Sequence, residues 1–231
     1  MMKKTLFTFS FLLSFCINFA QINEAGVFLG GSNYIGDIGR TNYIYPNNYA
    51  VGAIYKWNMH PQYSIRATYT YSKVSGDDIK SNNSFRQFRG LRFENSVHEL
   101  AAGIEYHFFK YNLSKIGHTH TPYIIIEAAI ANYSKVEYES TINGSVAINK
   151  RTFNFALPFG IGYKTKLAPN VGIALETSFR YTFNDQIDGY PQILDGVEIN
   201  YSNGNDWYVF TGITIVYAFG RPGCYSGNEF F

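Results

Sequence analysis

The chain has 231 residues; 18% are aromatic, 16% are charged, 21 are glycine, and 19 basic residues stand against 17 acidic ones. Few aromatics and high charge mark disordered chains, so this composition excludes disorder. The near-neutral balance gives no basic footprint for nucleic acid, and Cys16 and Cys224 alone cannot build a disulfide scaffold. Many aromatics and glycines with few charges are unusual for a soluble enzyme and ordinary for a membrane-spanning β-barrel.

Residues 1–20 open with Lys3 and Lys4, continue through an apolar stretch at 6–19 and end on Ala20. Basic start, short apolar stretch and small final residue predict a secretory signal peptide. Lipoprotein processing at Cys16 is the alternative, with bulky Phe15 standing where that processing wants a small residue. Removing Lys3 and Lys4 takes the 19 basic residues to 17, equal to the 17 acidic ones, so the exported chain is formally neutral. Cys224 then remains alone in the C-terminal tail, without an intramolecular partner.

After the signal, alternation with period two recurs and no segment sustains a helical period. Candidate strands are 24–32 and 49–57, then a clear one carrying Tyr63, Ile65, Ala67, Tyr69 and Tyr71 on one face. The stretch 97–108 sets His98, Leu100, Ala102, Ile104, Tyr106 and Phe108 against Glu99, Ala101, Gly103, Glu105 and His107. Then come 122–134, the run Phe153 to Tyr163, the run Val171 to Tyr181, and the last strand from Trp207 to Phe219, eight in all. Long polar segments near 33–48, 75–95, 136–150 and 182–205 interleave with shorter ones near 58–62, 109–121 and 165–169. The expectation is all-β: an eight-stranded antiparallel up-and-down transmembrane barrel over 21–220, with long loops outside, short turns in the periplasm, and a periplasmic tail at 221–231.

Period two does not say which face is buried, so a soluble lipocalin-like barrel or sandwich is the competing architecture. A soluble sheet would carry many Lys, Glu and Thr on its wet face. Here that face is Gly, Ala, Ser and Asn with isolated charges: Lys56, Arg66, Glu99, Glu105, Glu127, Glu176 and Arg180. An eight-stranded barrel is only wide enough to be filled by side chains, so these charges must pair with one another inside it. Pro158 sits mid-strand, where it removes a ladder hydrogen bond, and predicts a bulge or shifted boundary.

Catalysis would need a nucleophile with a base in reach. The candidate pair is Ser96 and His98, with Glu94 or Glu99 to orient the imidazole, against the plainer reading of an interfacial histidine. His118 and His120 with His107 are metal candidates whose spacing does not bring them together. Asp185, Asp188, Asp195, Glu198 and Asp206 match no calcium-loop register and are expected to face Arg86, Arg89 and Arg92 across the mouth. No strand-to-helix glycine loop suggests a nucleotide site, so no cofactor, metal or small-molecule substrate is expected. Gly30 and Gly31 suggest a close backbone approach, and Gly36, Asp37 and Gly39 tight turns above it.

The segments EAGVFLGGSNYIGDIGR (24–40), AIYKWN (53–58), SGDD (75–78) and RGLRFENSVHELAAGIEYHF (89–108) resemble, in this order, a family of Bacteroidetes outer-membrane barrels. The chain is similar to the PorG-type component of the type IX secretion system in its flavobacterial form. The resemblance implies an accessory, non-enzymatic barrel. It also implies that the periplasmic side engages a ring of a lipoprotein and its periplasmic partner, tying the secretion and gliding machinery to the outer membrane. The family supplies no residue motif for that contact. Position alone offers Lys110, Lys115, Lys164 and Lys166 in the short turns, whose charge would steer an acidic partner or equally meet lipid headgroups and solvent, and Tyr225, Phe230 and Phe231 in the tail, to dock on a partner or fold back on the barrel. A stand-alone barrel for adhesion or membrane integrity is the second reading and a lipid A-modifying enzyme the third.

Overall fold

The computed structural model describes residues 22–220 except 115–116, 142–143 and, within 185–204, all but 187–188, 193–194 and 197–198. The barrel strands are β1 (Ile22–Ile35), β2 (Asn48–His60), β3 (Tyr63–Asp77), β4 (Arg92–His107), β5 (His120–Thr141), β6 (Gly144–Ala168), β7 (Val171–Thr182) and β10 (Trp207–Phe219). A small hairpin, β8 (Ile193–Leu194) with β9 (Val197–Glu198), lies in the last long loop. Each barrel strand pairs antiparallel with its sequence neighbours, and β1 closes on β10 from Asn23↔Phe219 to Ile35↔Trp207. The chain is a closed, eight-stranded up-and-down barrel.

Burial is inverted relative to a soluble protein. Leu29, Ile104, Ile126, Ile161 and Leu175 point outward and are 53–66% exposed, whereas Arg66, Glu99 and Glu105 inside are 0–2% exposed. Apolar side chains out and charges in is the construction of a barrel that crosses a bilayer, and it rules out the lipocalin-like alternative. Aromatic clusters ring both ends of the apolar band. At one end stand Tyr63, Tyr106 and Phe108; at the other Tyr49 with Tyr71, and Tyr181 with Trp207. Rings with one polar edge suit a membrane–water boundary.

The short connections (61–62, 108–119 and 169–170) share one end, here the turn end, with Ile22 and Phe219. At the opposite loop end the strands run further than the alternation suggested. β3 and β4 stay paired to Asp77↔Arg92, so the loop between them is only 78–91; it holds a 3-10 turn (Asp78–Lys80) and helix α1 (Ser84–Arg89). Of the segment 136–150, expected as a loop, 136–141 and 144–150 are strand: β5 and β6 continue to Thr141↔Gly144. Val136, Tyr138, Val146 and Ile148 carry enough β preference to extend it. Pairing of β4 with β5 stops at His98↔Asn132 and of β6 with β7 at Ala156↔Thr182, so beyond those rungs the hairpin pairs only with itself.

Pro158 does not shift the register. It lies opposite Arg180, and the β5–β6 ladder resumes in register after skipping the rungs between Ile126↔Phe159 and Ala129↔Ala156. A proline without an N–H leaves the ladder incomplete there without displacing it. The register shifts are instead at Asn58/His60 and Lys166/Ala168, beside short turns.

Candidate functional site

Seven expected interior charges, Lys56, Arg66, Glu99, Glu105, Glu127, Glu176 and Arg180, all lie inside the barrel and are 0–4% exposed. They form two groups. Toward the turn end Glu105 of β4 is the hub: Lys56 Nζ of β2 at 2.7 Å, Lys164 Nζ of β6 at 2.6 Å and Arg66 Nη1 of β3 at 3.3 Å converge on it. Arg66 then reaches Glu176 at 3.2 Å and Glu127 at 3.2 Å, and the Tyr123 hydroxyl donates to Glu176 at 2.7 Å. Tyr123 lies against Gly162, where a Cβ would stand 2.3 Å from its ring, so only glycine leaves room for it. Toward the loop end Arg180 meets Glu99 at 3.3 Å, Tyr208 donates to Glu99 at 2.5 Å, and the guanidinium sits 3.9 Å from the Phe210 ring centroid. Charges enclosed this way are tolerable only when paired, because an isolated buried ion costs several kcal/mol.

Both mouths are filled by the chain itself. At the turn end Tyr111 and Leu113 from the 108–119 turn pack against Ile22, Val216 and Ala218. At the loop end Ile187 is fully buried in a cluster with Tyr34, Val97, Tyr133 and Tyr208. The Tyr34 hydroxyl donates to Asp206 and lies 3.2 Å from Asp188 Oδ2.

Lys164 departs from its expected place. It is 3% exposed and inside the barrel, bonded to Glu105 and to His107 Nε2 at 2.7 Å, not on the periplasmic surface. Its parity is the reason: Lys164 shares the inward face with Gly160 and Gly162, while Tyr163 and Thr165 face out. Lys110 is exposed and Lys166 is half-buried. Lys115, Tyr225, Phe230, Phe231 and Cys224 lie outside the described residues, as does the segment expected to be a signal peptide.

Ser96 and His98 do not form a nucleophile–base pair. His98 Nδ1 is 2.8 Å from the Tyr69 hydroxyl, Ser96 Oγ accepts from Arg151 at 2.8 Å, Glu94 pairs with Lys73, and Glu99 points inward. Ser64, His107 and Glu105 do converge, but on one nitrogen. Ser64 Oγ is 3.2 Å and Glu105 Oε1 3.0 Å from His107 Nε2, and Nδ1 lies 3.0 Å from the Pro61 carbonyl. A carbonyl only accepts, so Nδ1 carries a proton, and Ser64, Glu105 and Lys164 all meet Nε2. The carboxylate is thus not placed behind the imidazole as an orienting group would be. Ser64 is fully buried and also donates to Asn58 Oδ1 at 2.6 Å.

His107 points inward while His120 bonds the outward Tyr163 hydroxyl, and no group of His, Cys, Asp and Glu suited to a metal occurs among the described residues. Among the described residues the arginines meet partners other than the acidic loop. Arg86 donates to the Gly39 carbonyl and Arg89 to Asp78 and to the Asp37 carbonyl, so these two clamp the 36–47 loop onto the 78–91 loop, while Arg92 donates to Asp77 across the last β3–β4 rung. Asp188 and Asp206 gather on Tyr34 instead; Asp185 and Asp195 are outside the described residues.

The clamp centres on Asp78, which is fully buried. Its Oδ1 accepts from Gly39 N–H at 2.8 Å and its Oδ2 from Arg89 Nε at 2.8 Å and Leu91 N–H at 3.2 Å. Burial alone would push its carboxyl up, but the Arg89 bond and the backbone donors outweigh it and hold the group below the usual carboxylate range. Gly39 accepts the left-handed turn this needs, at φ 91°. Asp78, Lys164 and Glu24, which is 1% exposed inside the barrel and accepts from Asn58 at 2.8 Å, were legible as polar residues but not by these contacts. For Glu24 the available signal was parity: it shares a face with Phe28 and lies opposite Lys56 in the β1–β2 register.

A family model described as a domain of unknown function (DUF6089) matches residues 3–228. Among curated proteins no sequence matches the chain. Similar solved structures include the Neisserial surface protein A, at 9% identity and TM-score 0.47, covering 87% of this chain and 97% of that one. The attachment invasion locus protein Ail of Yersinia pestis follows at 10% identity and TM-score 0.45, covering 86% and 99%. The N-terminal β-barrel domain of Pseudomonas aeruginosa OprF stands at 12% identity and TM-score 0.43, covering 87% and 98%.

Proposed function

The chain belongs to the DUF6089 family, and from that premise we propose a non-enzymatic bacterial outer-membrane barrel that anchors a periplasmic assembly. The turn end faces the periplasm and the loop end the outside, as in barrels whose long loops are external. One observation supports this reading: the lumen is occupied by the protein's own ion-pair network and side chains from both mouths. A barrel filled in this way works through its surfaces. On the periplasmic rim Phe109 and Leu167 are 57% and 64% exposed, beside Lys110 and Lys166. Apolar anchors flanked by cations suit an acidic protein partner. The resemblance to PorG-type barrels supplies that partner's identity as the lipoprotein ring of the type IX secretion and gliding machinery.

The test is crosslinking in intact cells, with an affinity tag inserted at 142–143 and captured proteins identified by mass spectrometry. Recovery of the ring lipoprotein and its partner, reduced when Phe109 and Leu167 are both changed to Ser, is the expected result. Recovery of the barrel alone overturns the anchoring role. The stand-alone adhesive reading keeps a separate support, because Tyr43, Ile44, Phe85 and Phe88 on the outer loops are 53–92% exposed.

A further inference from the structure

Between the 36–47 and 78–91 loops a cavity of about 320 Å³ opens at the loop end. That is near the lower size of a small-ligand site, roughly 300 Å³. Its charged side chains are Arg40, Lys80 and Asp77. Asp77 is engaged, accepting from Arg92 at 3.1 Å and from Ile79 N–H at 3.1 Å. Arg40 and Lys80 have no carboxylate partner among the described residues. Arg40 is nonetheless held in place. Its Nε donates to the Lys80 carbonyl at 2.7 Å, and its guanidinium lies 4.6 Å from the Tyr45 ring centroid.

The rest of the wall is amide and hydroxyl. Asn33, 3% exposed, donates to the Asn42 and Tyr43 carbonyls and accepts from Tyr45 N–H, so it shapes the 42–45 segment from beneath. Asn42 and Asn47 line the opening, and Asn47 donates to Ser75. The Asp78 clamp sets the spacing of the two loops, so the cavity exists before anything enters it, and preformed sites lose less order on binding.

We infer that this cavity binds a hydroxyl-rich anion, namely a saccharide carrying a phosphate or carboxylate. Arg40, fixed through Nε and its stacked face, retains the end of a planar fork that pairs with two oxygens of such a group, and Lys80 adds a second cation. The Asn42 carboxamide and the Tyr45 hydroxyl on the wall match sugar hydroxyls, while an uncharged apolar ligand would leave Arg40 and Lys80 without an anion. Acidic sugars of the surrounding membrane's own glycolipid and free acidic polysaccharide share this chemistry. The inference does not depend on the anchoring role.

The experiment uses the full chain purified in detergent free of glycolipid. Glucose 1-phosphate, galacturonate trimer and neutral glucose are titrated calorimetrically at low salt into wild type, Arg40→Gln/Lys80→Gln and Lys150→Gln. Lys150, exposed on the β6 extension, controls for loss of charge at the same end. Gel mobility with and without boiling reports that each variant is folded. Removing charge-assisted bonds predicts an acidic-sugar affinity at least about tenfold above glucose, lost by a similar factor in the double variant and kept by Lys150→Gln. Equal binding of glucose, unchanged affinity in the double variant, or no binding of either acidic sugar overturns the site. Displacement by purified glycolipid but not its dephosphorylated form assigns the source to the membrane. Displacement by soluble acidic polysaccharide alone assigns it to the medium, and either supports the site.

Discussion

Glu105 and Asp78 are both fully buried carboxylates at the centre of a network, yet the two are satisfied differently. Glu105, enclosed within the strands, draws side-chain cations from Lys56, Arg66 and Lys164, with His107 as a further neighbour. Asp78, in a loop, needs one arginine and the N–H groups of Gly39 and Leu91. Inside a barrel wall every backbone N–H is already committed to the ladder, so a carboxylate can be satisfied only by side chains. A loop has uncommitted backbone donors, and one salt bridge suffices. The cost of losing each hub should therefore differ.

The largest effect is expected for Glu105→Gln, which leaves Lys56 and Lys164 facing one another with the hub charge gone. Breaking a buried pair from one side costs about 3–5 kcal/mol. Urea unfolding in micelles, followed by gel mobility, measures it, and a loss below about 1 kcal/mol would break the contrast between strand and loop networks. Asp78→Asn should be milder, about 1–3 kcal/mol, as expected for hydrogen bonds to a charged group. Its effect should be local: faster proteolysis within 78–91 with little change in the barrel's urea midpoint.

The pH dependence sharpens the same point. The folded Asp78 carboxyl is held below its usual range, so the unfolded loop binds its proton at higher pH than the folded one. The stabilisation is complete above an unfolded value of about 4 and is lost as pH falls through the lower folded value. Proteolysis of the 78–91 loop by an acid-active protease should accelerate over that window in wild type and show no such step in Asp78→Asn. The smallest effect is expected for Ser96→Ala and His98→Ala, within about 0.5 kcal/mol, because neither belongs to a buried network. A large loss in either would mean that the outward rim, and not only the lumen, holds the barrel together.

Much of this was readable along the chain. The alternation around Tyr63 to Tyr71 and 97–108 identified strands, their inward faces and the charges that had to meet inside, because side-chain direction in a strand depends only on parity. What parity does not supply is distance between strands far apart in sequence. Arg66 and Glu176 are 110 residues apart and meet only because the barrel closes. The same applies to the loops. The sequence marked Arg86, Arg89 and Arg92 as partners for acids, and among the described residues they meet the 36–47 loop, Asp78 and Asp77, all brought within reach by the loop path. Lys164 was misplaced because the β6–β7 turn lies further along than the turn residues suggested, at 169–170, which leaves Lys164 within the strand.

The sequence by itself determined the class, the strand count and the inverted distribution of polarity, since composition and a two-residue period are local properties. Tertiary closure alone decided which carboxylate each cation serves, that Tyr111 and Leu113 fill one mouth, and that two loops leave a cationic cavity between them. Those outcomes depend on strand register and loop path, and both arise from contacts between residues far apart in the chain.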